Sequence, residues 1–180
     1  MDLQEVRNNI NKIDDNMKEL FIERLDCSKK VAEVKMEQND DVYKPVREKE
    51  ICERFADECG GMYIPFIKKV MHISRKYQYG QFINNEKIDT EFWNNMSEEQ
   101  QLVLEQGGEF GITVCSDESC DNGLCIKEIM SIIADTSLSV HELEADGVEN
   151  TVYVRLMVDD TEEARFEALT LAYLLYKETI

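Results

Sequence analysis

Proline and glycine are the first absences: the chain has two prolines in 180 residues, and neither a proline nor a glycine interrupts residues 2–42. Nothing in that stretch forces a helix to break. Long apolar runs are missing as well. No segment approaches the roughly 20 apolar residues that cross a bilayer, so a membrane role is not expected. The opening "MDLQEVRNNI" has no basic start followed by an apolar run, so no secretory leader is expected. The protein is therefore expected in the cytoplasm, with its six cysteines as reduced thiols. Only two histidines are present, His72 and His141, and structural roles are expected for both. No hydrolase or nucleotide-binding motif is visible.

Positive charge is nearly missing from one half. Residues 82–180 carry 5 Lys plus Arg against 22 Asp plus Glu, while residues 1–81 carry 15 against 16. The net charge of −18 speaks against binding nucleic acid through its phosphates. Its uneven distribution suggests two segments with different tasks. The expected division is a helical segment at 1–82, a partly helical connector at 83–108 and a second domain at 109–180.

What is present in the first segment is a heptad seam. Leu3, Val6, Ile10, Ile13, Met17 and Leu20 recur at alternating spacings of three and four. The same count continues to Arg24, Cys27, Val31 and Val34. One helix is predicted to about Gln38, roughly 55 Å long, packed along another long helix. A second helix should start near Pro45, with Val46, Ile51, Phe55 and Ala56 on one side, and stop at Gly60-Gly61. A third should run from about Ile64, with Pro65 in its first turn. Three such helices form half a bundle, and a dimer would complete it.

Arg24 breaks the seam. A snorkelling arginine would bury only its stem. The other reading is a cation kept in the core to hold an anion, because a buried charge needs a partner. Lys35 lies eleven residues on, within about 20° of the same direction and about 16 Å along the helix. Arg7 is about 25 Å from Arg24 and could join the same site only from an antiparallel partner chain. Arg47 and Glu48 fall in the first turn of the second helix. Ser74 and Gln78, four apart, share one face of the third.

Together these residues resemble the all-helical AroQ class of chorismate mutases. The resemblance is carried by "LQEVRNNINKIDDNMKELFIERL", "VAEVK", "VYKPVREKE" and "ISRKYQ". It implies a Claisen rearrangement of chorismate to prephenate in phenylalanine and tyrosine biosynthesis. Such a reaction within one molecule needs no metal, nucleophile or redox cofactor. It also implies roles. Arg24, and Arg7 from the partner chain, would hold the carboxylates of the dianionic substrate, assisted by Ser74. Lys35 and Gln78 would donate to the ether oxygen, which gains negative charge as its C–O bond breaks. Glu48 would accept from the ring hydroxyl, and Arg47 would help through charge. Lys44 departs from the family's pattern, which often has an acidic residue there, so the ring-hydroxyl contact from this loop can differ. The rivals are an isochorismate pyruvate-lyase and a non-catalytic protein that binds aromatic metabolites.

The second segment reads as β-α-β-β-α, so the whole chain is expected to be α+β. Strands are expected at 110–116 and in "LSVHELEA" and "DGVENTVYVRLMV", the middle one with a slip after Val140. "GLCIKEIMSIIADT" should be a helix burying Ile126, Ile129, Met130, Ile133 and Ala134. A last helix, capped by Asp160 with Glu163, draws its apolar content from Phe166, Leu169, Leu171, Tyr173 and Leu174. This ferredoxin-like order, lacking a final strand, resembles an ACT domain. That resemblance implies phenylalanine or tyrosine as an effector, against the alternative of a dimerisation or docking domain. Cys115, Cys120 and Cys125 have no usual zinc spacing, and free thiols are expected.

Overall fold

A first helix, α1, spans Leu3–Gln38, the length its uninterrupted seam predicts. The structure is a computed structural model that describes residues 2–57, 61–115 and 125–179. Asp2 and Glu5 form a capping box at the start of α1, and Asn39 ends it in the left-handed conformation at φ 53°. The second helix, α2, covers Pro45–Arg54, and α3 covers Tyr63–Asn84. The connector holds α4 (Thr90–Asn95) and α5 (Glu98–Gln106). Then follow β1 (Gly108–Cys115), α6 (Ile126–Ala134), β2 (Ser139–Asp146), β3 (Thr151–Val158) and α7 (Glu162–Glu178). The chain is α+β, with the expected β-α-β-β-α order in its second half.

The three strands form an antiparallel sheet in the order β1-β3-β2. Phe110, Ile112 and Val114 of β1 alternate with exposed or half-buried neighbours, as do Val152, Val154, Leu156 and Val158 of β3. One face of the sheet is therefore apolar, and α6 and α7 pack on the strands. The other face is polar: Arg155 pairs with Glu142 at 3.2 Å and approaches Glu109. The slip after Val140 is a register shift between Val140 and Glu142, the two-against-one geometry of a bulge. The outer edge of β1 meets α5, where Gln100 Nε2 donates to the Gly111 carbonyl at 2.7 Å.

The third helix is the hinge of the architecture. It packs on α1 along one side and on α7 along another. Close approach to α7 requires Gly80, where a Cβ would stand 3.3 Å from the Phe166 ring. Tyr79 and Tyr173 meet edge to face at 5.6 Å, and Phe92 of α4 packs on Tyr173 and Tyr176 at 5.0 and 5.3 Å. The same apolar cluster continues from Tyr79 and Phe92 to Phe110, Ile129, Leu156 and Leu174, so the connector is packed structure.

Several local expectations change. The second helix stops at Arg54, short of Gly60-Gly61, and has no buried residue; Val46 is 66% exposed. Phe55 leaves the helix to pack on Tyr63 at 5.0 Å. In α6 the buried residues are Ile129, Ile132 and Ile133, while Met130 and Ala134 face solvent. The helix contacts the sheet on one narrow stripe, and Ile132 takes the place given to Met130. Thr161, not Asp160, caps α7: its hydroxyl accepts from Ala164 N at 3.2 Å, and Asp160 pairs with Arg165 instead. Helix α7 is buried over much of its circumference, Ala168, Thr170, Ala172, Leu175 and Glu178 included, because it has α3 on one side and the sheet on the other. Cys120 lies outside the described residues; Cys115 and Cys125 are free thiols.

Candidate active site

The second half of α1 lies against α3, and their contact brings the seam-breaking arginine to its partners. Arg24 Nη1 donates to Ser74 Oγ and, at 3.2 Å, to the Val70 carbonyl. Ser74 in turn donates to the same carbonyl at 3.0 Å. The guanidinium thus sits between two helices and is only half-buried. Desolvation pulls its pKa down, and the nearby Glu48 carboxylate pulls it back up. Arginine keeps its charge across the biological range, so a fixed cation faces the α1–α3 groove.

Lys35 marks the other end. Its ammonium donates to the Val42 carbonyl at 2.7 Å, which draws the loop after α1 back over the helix. Two further hydrogens remain for other acceptors. Burial lowers its pKa, an effect opposed chiefly by Asp40 and also by Asp41 and Glu48, while Lys44 adds to it. Glu48 therefore lies within electrostatic reach of both Arg24 and Lys35. Lys44 itself is held by Asp40, four residues earlier.

Gln78 is one turn beyond Ser74 and buried. Its Nε2 donates to the Ser74 carbonyl at 3.3 Å, and its Oε1 is buried without a partner among the described residues. An amide carries two donor hydrogens and one carbonyl, so the group is incompletely satisfied as it stands. Such orphaned polar atoms inside a protein ask for an explanation.

Two expected members stand apart. Arg47 turns outward and pairs with Glu50 at 3.0 Å, both side chains more than half exposed. Arg7 lies in the half of α1 that projects beyond α3; it is exposed and forms no ion pair among the described residues. The structure thus joins Arg24 to Ser74, puts Glu48 within electrostatic reach of Arg24 and Lys35, sets Gln78 one turn from Ser74 on α3, and leaves Arg7 and Arg47 at the surface.

With that grouping in place, the comparison with known families is direct. Residues 6–79 match the family model of chorismate mutase type II. The matched segment contains all seven expected site residues, and the sheet lies outside it. No curated protein and no solved structure matches the chain.

One further residue in the matched segment stands out. Arg75, next to Ser74, is 7% exposed. Its Nη1 donates to Glu48 Oε1, and its Nε donates to Glu178 Oε1 at 2.8 Å. Burial works against its charge, but Glu178 and Glu48 more than offset that and raise its pKa above the ordinary arginine value. Its partner Glu178 is 103 residues away, beyond the reach of any local pattern.

Proposed function

We propose that this chain is a chorismate mutase that works as an intertwined homodimer. The observation that carries the reading is Arg24, a cation held against Ser74 within the matched segment, with Glu48 within electrostatic reach of both Arg24 and Lys35 and Gln78 one turn from Ser74. Chorismate is a dianion whose enolpyruvyl arm must fold over its ring. Arg24, with Ser74, would take one carboxylate, and Arg7 of a partner chain the other. Holding both restricts the substrate to the reactive conformer. As the ether C–O bond breaks, its oxygen gains negative charge, and the Lys35 ammonium and Gln78 amide would stabilise it. A preorganised donor aimed at developing charge contributes about 3–4 kcal/mol in a site that excludes water. Glu48 would accept from the ring hydroxyl. No group has to exchange a proton with substrate.

The dimer has its own support. Leu3, Ile10, Ile13, Met17 and Leu20 are 46–64% exposed on the free half of α1. A continuous apolar seam left open on one helix calls for another helix. Antiparallel pairing would cover the seam and carry Arg7 toward the partner's Arg24. Ile13→Glu is expected to convert the protein to monomer in sedimentation at micromolar concentration and to abolish turnover. A dimeric, fully active Ile13→Glu protein would refute this arrangement.

Incubation with chorismate is the direct test. Prephenate is the expected product. Salicylate from isochorismate would point to a pyruvate-lyase, and no turnover of either to a binding protein. Because position 78 holds an amide rather than a carboxyl, no acid must be protonated for catalysis. The turnover number kcat should stay nearly flat from pH 5 to 8 and fall on the alkaline side as Lys35, its pKa lowered by burial, loses its proton. A steep loss of kcat between pH 5 and 8 would contradict the assignment. For the β-α-β-β-α part we infer a regulatory role with phenylalanine or tyrosine as effector, supported by its ferredoxin-like order. Unchanged rates and no binding in titrations with either amino acid would remove that role.

A further inference from the structure

We propose that Arg75 and Glu178 are positioning residues of the candidate active site, and that the last turn of α7 sets the place and acceptor strength of Glu48 through Arg75. The inference rests on the mutase reading for its kinetic consequences.

The geometry begins at α3. Ser74 and Arg75 are consecutive, so their side chains leave the helix about 100° apart. Ser74 meets Arg24 of α1, and Arg75 meets Glu48 of α2 and Glu178 of α7. Three elements from opposite ends of the chain are joined by one guanidinium, which also lies 5.0 Å from the Tyr43 ring centroid. Glu48 needs such a support. It stands in the first turn of a ten-residue helix with no buried residue, so packing of α2 does little to fix its carboxylate. The same carboxylate lies within electrostatic reach of Arg24 and Lys35. Whatever holds Glu48 therefore helps to shape the space between the two substrate-facing cations.

Glu178 is the remote end. It is 1% exposed, and the buried Tyr79 hydroxyl stands beside its carboxyl group. Apolar side chains of similar volume commonly stabilise a core as well as a buried ion cluster does. Stability alone is then a weak reason for this one, whereas fixing a carboxylate beside a site is a specific use.

The charge balance gives the device a pH signature. Burial pushes Glu178 up to about 7 against the pull of Arg75. The titratable and charged groups facing it are Arg75 and Tyr79 of α3, Glu48 of α2 and Tyr43 of the loop between α1 and α2. Asp41, Asp89, Glu91 and Lys177 line the adjoining cavity. Below neutrality Glu178 is uncharged, and Arg75 binds Glu48 alone and weakens it as an acceptor. Above neutrality Arg75 is shared, and Glu48 is freer to accept from a substrate hydroxyl. The folded chain holds this proton more tightly than the unfolded chain, so its contribution to stability is full at low pH and is lost as pH rises through about 7.

Glu178→Gln keeps the volume and removes the charge. It is expected to raise KM for chorismate about 10-fold with a smaller change in kcat, and to abolish an inflection in kcat/KM near neutral pH. In a Glu48→Gln background the same substitution should have no further effect on KM. Equal effects of Glu178→Gln with and without Glu48 would overturn the proposal, as would an unchanged KM and pH profile in an active enzyme. If the wild-type chain leaves chorismate unchanged, the mutase reading falls. The three-residue coupling is then judged by thermal unfolding of the two single variants and the double variant. Additive shifts in Tm overturn it, and non-additive shifts support it.

Discussion

Lys35→Ala is expected to lower kcat for chorismate by about 10²–10³-fold, with a much smaller change in KM. The reason lies in when its charge is needed. The ground-state ether oxygen is a poor acceptor, and the transition state places negative charge on it. An ammonium already held by the Val42 carbonyl does not have to reorganise when that charge develops. Removing it therefore costs more in the transition state than in the bound substrate. The structural loss is one hydrogen bond to the 39–44 loop, about 1 kcal/mol, so a folded protein with an ordinary circular dichroism spectrum is expected. Steady-state kinetics with both parameters resolved is the check. A Lys35→Ala enzyme within threefold of wild type would remove Lys35 from the proposed mechanism. Gln78→Ala should act in the same direction, since its amide is the second donor in the proposed mechanism.

Arg7→Ala and Arg24→Ala homodimers should each be almost inactive, and mixing them should restore activity. In a two-fold dimer each site would use Arg24 of one chain and Arg7 of the other. A mixed dimer then has one site with both arginines and one with neither. Each heterodimer should show about half of the wild-type rate, and a fully exchanged equal mixture roughly a quarter. The expectation follows from length: Arg7 and Arg24 are about 25 Å apart on one rigid helix, so one chain cannot bring both to a small dianion. Arg24→Ala alone also leaves Ser74 without the guanidinium it faces. Recovery is to be measured on heterodimers purified with two different affinity tags. Verified heterodimers without activity would defeat the shared-site arrangement.

Arg47 gives a useful contrast. The sequence resemblance implies a supporting role for it, yet here it pairs with Glu50 at the surface of α2. The buried cation on the neighbouring wall is Arg75. Motif reading finds residues by order and spacing, which α1 and α3 preserve. It has no means of weighting Arg47 against Arg75, because the difference is which one meets a carboxylate from the far end of the chain.

How much could be read along the chain depends on how local each cause is. The sequence alone determined α1, because a heptad seam without proline or glycine is a complete instruction for a long helix. It also determined that Arg24 and Lys35 share a face, since helical periodicity fixes side-chain direction. The β-α-β-β-α order was legible in alternation and turns, and even the bulge in β2 showed as a slip after Val140. Burial was not legible. The stripe of α6 turned toward Ile132, and α7 lost its solvent face, because those outcomes depend on what packs opposite. The tertiary structure alone decided that α3 touches α1 and α7 at once. That placement puts Ser74 on Arg24 and Arg75 between Glu48 and Glu178. A charge can be buried only where its partner is brought to it, and the partner here lies 103 residues along the chain.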